Sequence, residues 1–66
     1  MNMTAAYLLA RKEPVSTIEI GKEYRVVGFY NNGGKFIVDK IEGELIYFKG
    51  FVKGIELKKV ILFLVD

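Results

Sequence analysis

Asn32-Gly33 stands between two β-prone stretches, Tyr24-Arg25-Val26-Val27-Gly28-Phe29-Tyr30 before it and Lys35-Phe36-Ile37-Val38-Asp39-Lys40-Ile41 after it. In that setting Asn-Gly is the strongest short-range hairpin signal, because a type I′ turn needs positive φ at both central residues, which Asn tolerates and Gly adopts freely. A hairpin sets a register, and the register decides which side chains share a face. The spacing predicts strands over 23–30 and 35–41, pairing residue 30 with 35, 28 with 37, 26 with 39 and 24 with 41. The intervening pairs, 29 with 36, 27 with 38 and 25 with 40, then occupy the opposite face. That face carries Val27, Phe29, Phe36 and Val38 and reads as core, while the first is mixed, with Tyr24, Tyr30, Ile37 and Ile41 among Lys35 and Asp39.

Glu42-Gly43 and Lys53-Gly54 are the next turn signals, so strands are expected over 44–52 and 55–65. Gly28 and Gly50 inside predicted strands suggest bulges where a small sheet curls, and curling that ends in closure removes free edges. Residues 4–10 are apolar but too few for periodicity to decide. Thr4 could cap a short helix ending before Pro14, yet a first strand followed by a polar excursion over 11–17 is the expectation. Ser16-x-x-Glu19 matches a capping box in form, but Ile18, Ile20, Tyr24 and Val26 alternate as a strand does. Val60-Ile61-Leu62-Phe63-Leu64-Val65 is apolar without alternation and so reads as covered on both faces, by the N-terminal segment or by a second copy of the chain.

Ile18-x-Ile20-Gly21-x-x-Tyr24-x-Val26, following Ala5, Ala6, Tyr7 and the polar excursion, resembles the early part of an SH3-like small barrel over about residues 5–52. The resemblance implies an all-β, five-stranded antiparallel barrel built from consecutive hairpins, with an OB-like barrel as the competing architecture. The chain has no Trp, and its sole Pro, Pro14, lies in the excursion, so recognition of Pro-rich ligands is not carried over.

A chain of 66 residues is expected to form one domain, residues 1–66, near the lower limit of what one core can hold. It has no Cys and no His, which removes disulfides, thiolate metal sites and the commonest metal ligand and general base. Apolar residues make up 52% and nine residues are Phe or Tyr, a heavy load for so small a surface, which suggests homo-oligomerisation. The N-terminal apolar stretch has no basic residue before it and is too short for a signal peptide. No segment approaches a bilayer span, so an intracellular, cytoplasmic protein with no membrane partner is expected.

Catalysis would have to rest on carboxylates, Lys or Tyr. Glu42 and Glu44 straddle a turn, the other Glu residues are scattered, and Asp39 reads as an exposed partner of Lys35. Gly33-Gly34-Lys35 lacks the spacing and the following helix of a phosphate loop. No enzyme activity, cofactor or metal is expected. Two binding readings remain. The mixed face, with Tyr24, Tyr30 and Lys35, joins rings for stacking to cations for phosphates, the pattern of single-strand nucleic-acid binders, and Arg25 and Lys40, opposite each other on the core side near the open end of the hairpin, reach past the core to add to the charge. Alternatively Ile46, Phe48, Ile61, Phe63 and Val65 form a protein interface through which the chain self-assembles.

Overall fold

Where a first strand is expected, the chain is a helix. The computed structural model describes residues 3–30 and 33–65, with the side chains of 3–6 left undescribed, and helix α1 spans Met3–Arg11. Its segment is rich in strong helix formers, Ala5, Ala6, Leu8, Leu9 and Ala10, and Arg11 complements the dipole in the last turn. The Lys12 N–H donates to the Leu8 carbonyl at 3.0 Å, after which Pro14 disfavours further helix. A helix this short is marginal in isolation, since about 12–15 residues are needed in water. Docking therefore sustains it: Leu8 is buried against Val27 and Phe63. Leu8→Ala is expected to release α1 while leaving the sheet folded. Hydrogen exchange should show amide protection lost over α1 and kept in the strands; retained protection in α1 would mean that other contacts hold it.

Five antiparallel strands follow: β1 (Glu23–Val27), β2 (Gly34–Glu42), β3 (Leu45–Phe48), β4 (Ile55–Glu56) and β5 (Ile61–Leu64). The expected long strand over 55–65 is two strands, split by a 3-10 turn at Leu57–Lys59. Five strands are thus present, but the fifth comes from this division and not from the N-terminus. The order across the sheet is β4-β3-β2-β1-β5.

The hairpin register also differs from expectation. Tyr24 pairs with Phe36, Arg25 with Lys35 and Val26 with Gly34. Relative to the expected partner of Tyr24, Ile41, this is a slip of five residues, and an odd slip turns every side chain to the other face. The cause lies at Gly28, where φ is +95° and β1 has ended. The connection over 28–33, of which 28–30 and 33 are described, is drawn together where the Gly33 N–H donates to the Val26 carbonyl at 2.7 Å. Gly33 does have positive φ, +86°; Asn31 and Asn32, on which the type I′ turn depends, lie outside the described residues.

The main core is accordingly Tyr24, Val26, Val38, Ile46, Phe48, Val60 and Leu62, with Phe29 and Phe36 half-buried against it. Of the expected core face, Val38 belongs here and Val27 lies on the opposite face under α1. β1 and β5 are thus covered on both sides. Leu62 and Phe63 are buried on opposite faces, and the cover over Phe63 is supplied by the chain's own N-terminal helix.

The sheet curls without closing. β4 and β5 are its two edges, four strand spacings apart, which in a flat sheet is about 19 Å. Yet only residues 57–60 join them, three in a 3-10 turn that rises about 2 Å per residue. So short a link requires the sheet to roll. Its bend is in β2, where pairing with β3 shifts register between Val38 and Lys40, a bulge at Asp39. The first half of β2 pairs with β1 and the second with β3. Closure into a barrel is not seen: β4 pairs with β3 and β5 with β1. The outer edge of β5 is instead met by the chain itself, where the Val15 N–H donates to the Leu62 carbonyl at 2.8 Å.

Candidate functional site

Rolling brings the 28–33 loop beside the connection between β3 and β4, residues 49–54. Phe29, in the first loop, has its ring 4.8 Å from Phe48, 5.0 Å from Phe36 and 4.9 Å from Phe51. Tyr30 lies 6.0 Å from Phe51 and completes the series at the surface. The rings therefore grade from a buried Phe48, through half-buried Phe29, Phe36 and Phe51, to a Tyr30 that is 83% exposed. Edge-to-face angles of 75° and 71° for Phe29 with Phe36 and Phe51 suit the ring quadrupoles. Between the loops lies a cleft of about 440 Å³ lined by Phe29, Tyr30, Phe51, Val52, Lys53 and Ile55, with Gly50.

Local geometry explains why Phe51 and Val52 face this cleft. Gly50 has φ +90° and the Phe51 N–H donates to the Phe48 carbonyl at 3.1 Å, so the strand ends in a tight turn. Val52 is left 95% exposed. On the return, Gly54 lies flat against Tyr47, and a Cβ there would sit 2.8 Å from the ring.

The charges are distributed unevenly. Lys22 pairs with Glu19 at 3.2 Å, Lys40 with Glu42 at 3.6 Å, and Lys58 and Lys59 with Glu56 at 3.8 and 3.0 Å. Among the described residues no ion pair involves Lys35, Lys49 or Lys53, all exposed. Lys49 and Lys53 belong to the second loop, and Lys35 follows the first. Among the described residues no carboxylate lines the cleft.

The residues expected to bind nucleic acid do not form one face. Tyr24 is fully buried, its hydroxyl accepting the Glu19 N–H at 2.9 Å, so it offers no ring for stacking. Arg25 is half-buried and faces Lys35, not Lys40; its Nη1 donates to the Gly33 carbonyl at 3.0 Å and so ties down the 28–33 loop. Lys40 stands 4.7 Å over the Tyr47 ring, beyond the bulge. Lys35 is exposed, and Tyr30 alone of the five lines the cleft. Of the residues expected at a protein interface, Ile46, Phe48 and Phe63 are buried in the chain's own packing, Val65 is half-buried and Ile61 is exposed.

Phe51, Val52 and Lys53 were masked in the sequence by their assignment to a strand and its turn. The pattern Lys49-Gly50-Phe51-Val52-Lys53-Gly54 carries the missing signal: two glycines bracket an apolar pair, which marks a loop presenting apolar side chains between cations. Among the described residues no three His, Cys, Asp or Glu side chains are grouped to hold a metal ion, and no helix is long and apolar enough to cross a membrane. What the cleft offers is flat apolar surface with positive charge beside it. No protein-family model, curated protein or solved structure matches the chain.

Proposed function

We propose that the protein is a non-enzymatic binding module that takes single-stranded nucleic acid in the cleft between the 28–33 and 49–54 loops. One juxtaposition carries this reading: an almost fully exposed Tyr30 ring backed by Phe51, in a cleft whose described lining contains Lys53 and no carboxylate. Bases stack on exposed rings while lysines neutralise phosphates. Lys49, in the second loop, and Lys35, at the start of β2, are exposed and have no ion pair among the described residues, so both add positive charge to the surface.

Fluorescence anisotropy with a labelled single strand at low salt tests it. Tyr30→Ala is expected to weaken binding by about 1–3 kcal/mol, roughly 5- to 150-fold. Lys53→Ala should weaken it too and lower the salt slope by about 0.7, the share of one phosphate contact on a single strand. Absence of binding to any oligonucleotide at low salt would overturn the reading.

A second reading, self-assembly, is favoured by one observation: β5 is uncharged along its length and keeps Ile61 and Leu64 exposed. Val15 covers part of that edge, which weakens the case. Sedimentation across concentration decides it. Assembly predicts a species larger than the monomer that Ile61→Glu or Leu64→Glu dissociates, and a monomer throughout excludes it. Phe63 is unsuitable for that test, since its burial makes any substitution a test of folding.

We propose an SH3-like rather than an OB-like curl, because β1 to β4 follow one another as neighbours and β5 returns beside β1 through a single 3-10 turn.

A further inference from the structure

We infer that Arg25 and Lys35 together bind a phosphate group at the foot of the 28–33 connection, outside the aromatic cleft. The two residues are directly opposite in the ladder of β1 and β2, so their side chains share a face with Cβ atoms about 4.5–5.5 Å apart. Like charges so placed repel. Lys22, Lys40, Lys58 and Lys59 each meet a carboxylate, and the last two share one, Glu56. Among the described residues Arg25 and Lys35 have no such partner. Glu23 lies two residues along β1 on the same face, yet no ion pair joins it to either cation. Of the acidic residues only Asp66 lies outside the described residues. No described carboxylate offsets the repulsion, and an anion from outside the chain would.

Phosphate suits the donors. The Arg25 guanidinium carries several N–H groups and uses one within the fold, Nη1 donating to the Gly33 carbonyl at 3.0 Å. Lys35 is exposed and adds an ammonium on a flexible stem. A forked guanidinium beside an ammonium matches several oxygens on one centre, which phosphate has and which a carboxylate offers only in a single plane. Charge agrees, since a phosphate monoester carries about −1.5 to −2 at pH 7 and so comes close to neutralising both cations. On its other flank Arg25 pairs with Phe63, which is buried with Leu8 of α1, so one side of the site is apolar and screens the charges less than water does. The same guanidinium holds Gly33, and fixing it with a phosphate therefore steadies the connection that carries Tyr30. Attachment of that phosphate to the end of a strand held in the cleft rests on the nucleic-acid reading; its binding as a free group does not.

Titration with inorganic phosphate at constant ionic strength, followed by the Gly33 amide and Arg25 side-chain resonances, tests the pair. Saturable shifts with a midpoint below about 10 mM are expected. Lys35→Ala should raise that midpoint by about tenfold or more, whereas Lys58→Ala, at a cation paired with Glu56, should leave it within about twofold. Lys35→Glu should abolish the shifts and, by setting opposite charges face to face, raise the thermal midpoint in phosphate-free buffer. A wild type without saturable shifts, equal midpoints in wild type and Lys35→Ala, or a lower thermal midpoint for Lys35→Glu would overturn the assignment and leave the cleft reading standing. A 5′-phosphorylated single strand separates the two sources. Binding at least about threefold tighter than that of its unphosphorylated form, with the gain lost in Lys35→Ala, assigns the site to a strand end, and equal binding assigns it to free phosphate. Saturable phosphate binding with no strand bound would overturn the cleft reading alone.

Discussion

Gly28→Ala is expected to remove more than half of the stability of the fold. A Cβ at this position would lie 2.3 Å from the Lys59 carbonyl oxygen, backbone against backbone, so no side-chain rotation relieves it. The residue also has φ +95°, which an L side chain adopts only under strain. Nor can the two segments part cheaply. Val27 is paired with Ile61, and so the chains on either side of the contact are held in one ladder. Left-handed strain alone costs about 1–2 kcal/mol, and with the clash added the loss should exceed about 3 kcal/mol, against roughly 5 kcal/mol for a domain at the low end of stability. At about 4–8 °C per kcal/mol the midpoint should fall by more than about 12 °C. Gly43→Ala provides the comparison: φ is +60° there and a Cβ meets nothing within 4 Å. It should cost only the strain term, so equal losses at the two positions would mean that the close approach at Gly28 is not a constraint.

Phe48→Ala should produce the other large effect, about 3–5 kcal/mol, the range for deleting a buried aromatic ring. Phe48 is 1% exposed and forms the floor of the series, with Phe29 at 4.8 Å and Phe36 at 5.8 Å. Removing it takes support from Phe36 and from Phe29, which lines the cleft. Tyr30, at the exposed end of the same series, should cost less than about 0.5 kcal/mol on truncation, as surface positions do. Denaturant midpoints of the two variants separate the parts: the inner ring supports the fold and the outer one is free for a ligand. Comparable losses at Phe48 and Tyr30 would contradict that division.

The misreadings of the sequence share a physical origin. Tyr24 reads as a surface ring because Asn32-Gly33 implies a tight turn, and a tight turn implies strands that run up to it. The close contact between Gly28 and the Lys59 carbonyl, 31 residues away in sequence, ends β1 early and reverses the faces. Residues 4–10 illustrate a different limit. Their composition suits a helix, but so short a helix persists only where Leu8 finds Val27 and Phe63. The cleft was legible in half: Tyr30 stood out as an aromatic residue beside a turn, whereas Phe51 and Val52 were absorbed into a strand that stops at Phe48.

By itself the sequence determined those features that depend on neighbours along the chain: predominance of β-structure, turns near Gly33 and Gly43, a strand within 60–65 with two apolar faces, and the absence of Cys and His chemistry. Alternation, turn residues and composition are local, and local signals survive without a fold. Tertiary structure alone decided the register of the first hairpin, the helix over Phe63, the bend at Asp39 and the meeting of two loops around an exposed Tyr30. Each depends on contacts between residues far apart in the chain, where the energies of packing and close approach outweigh the preferences of any single segment.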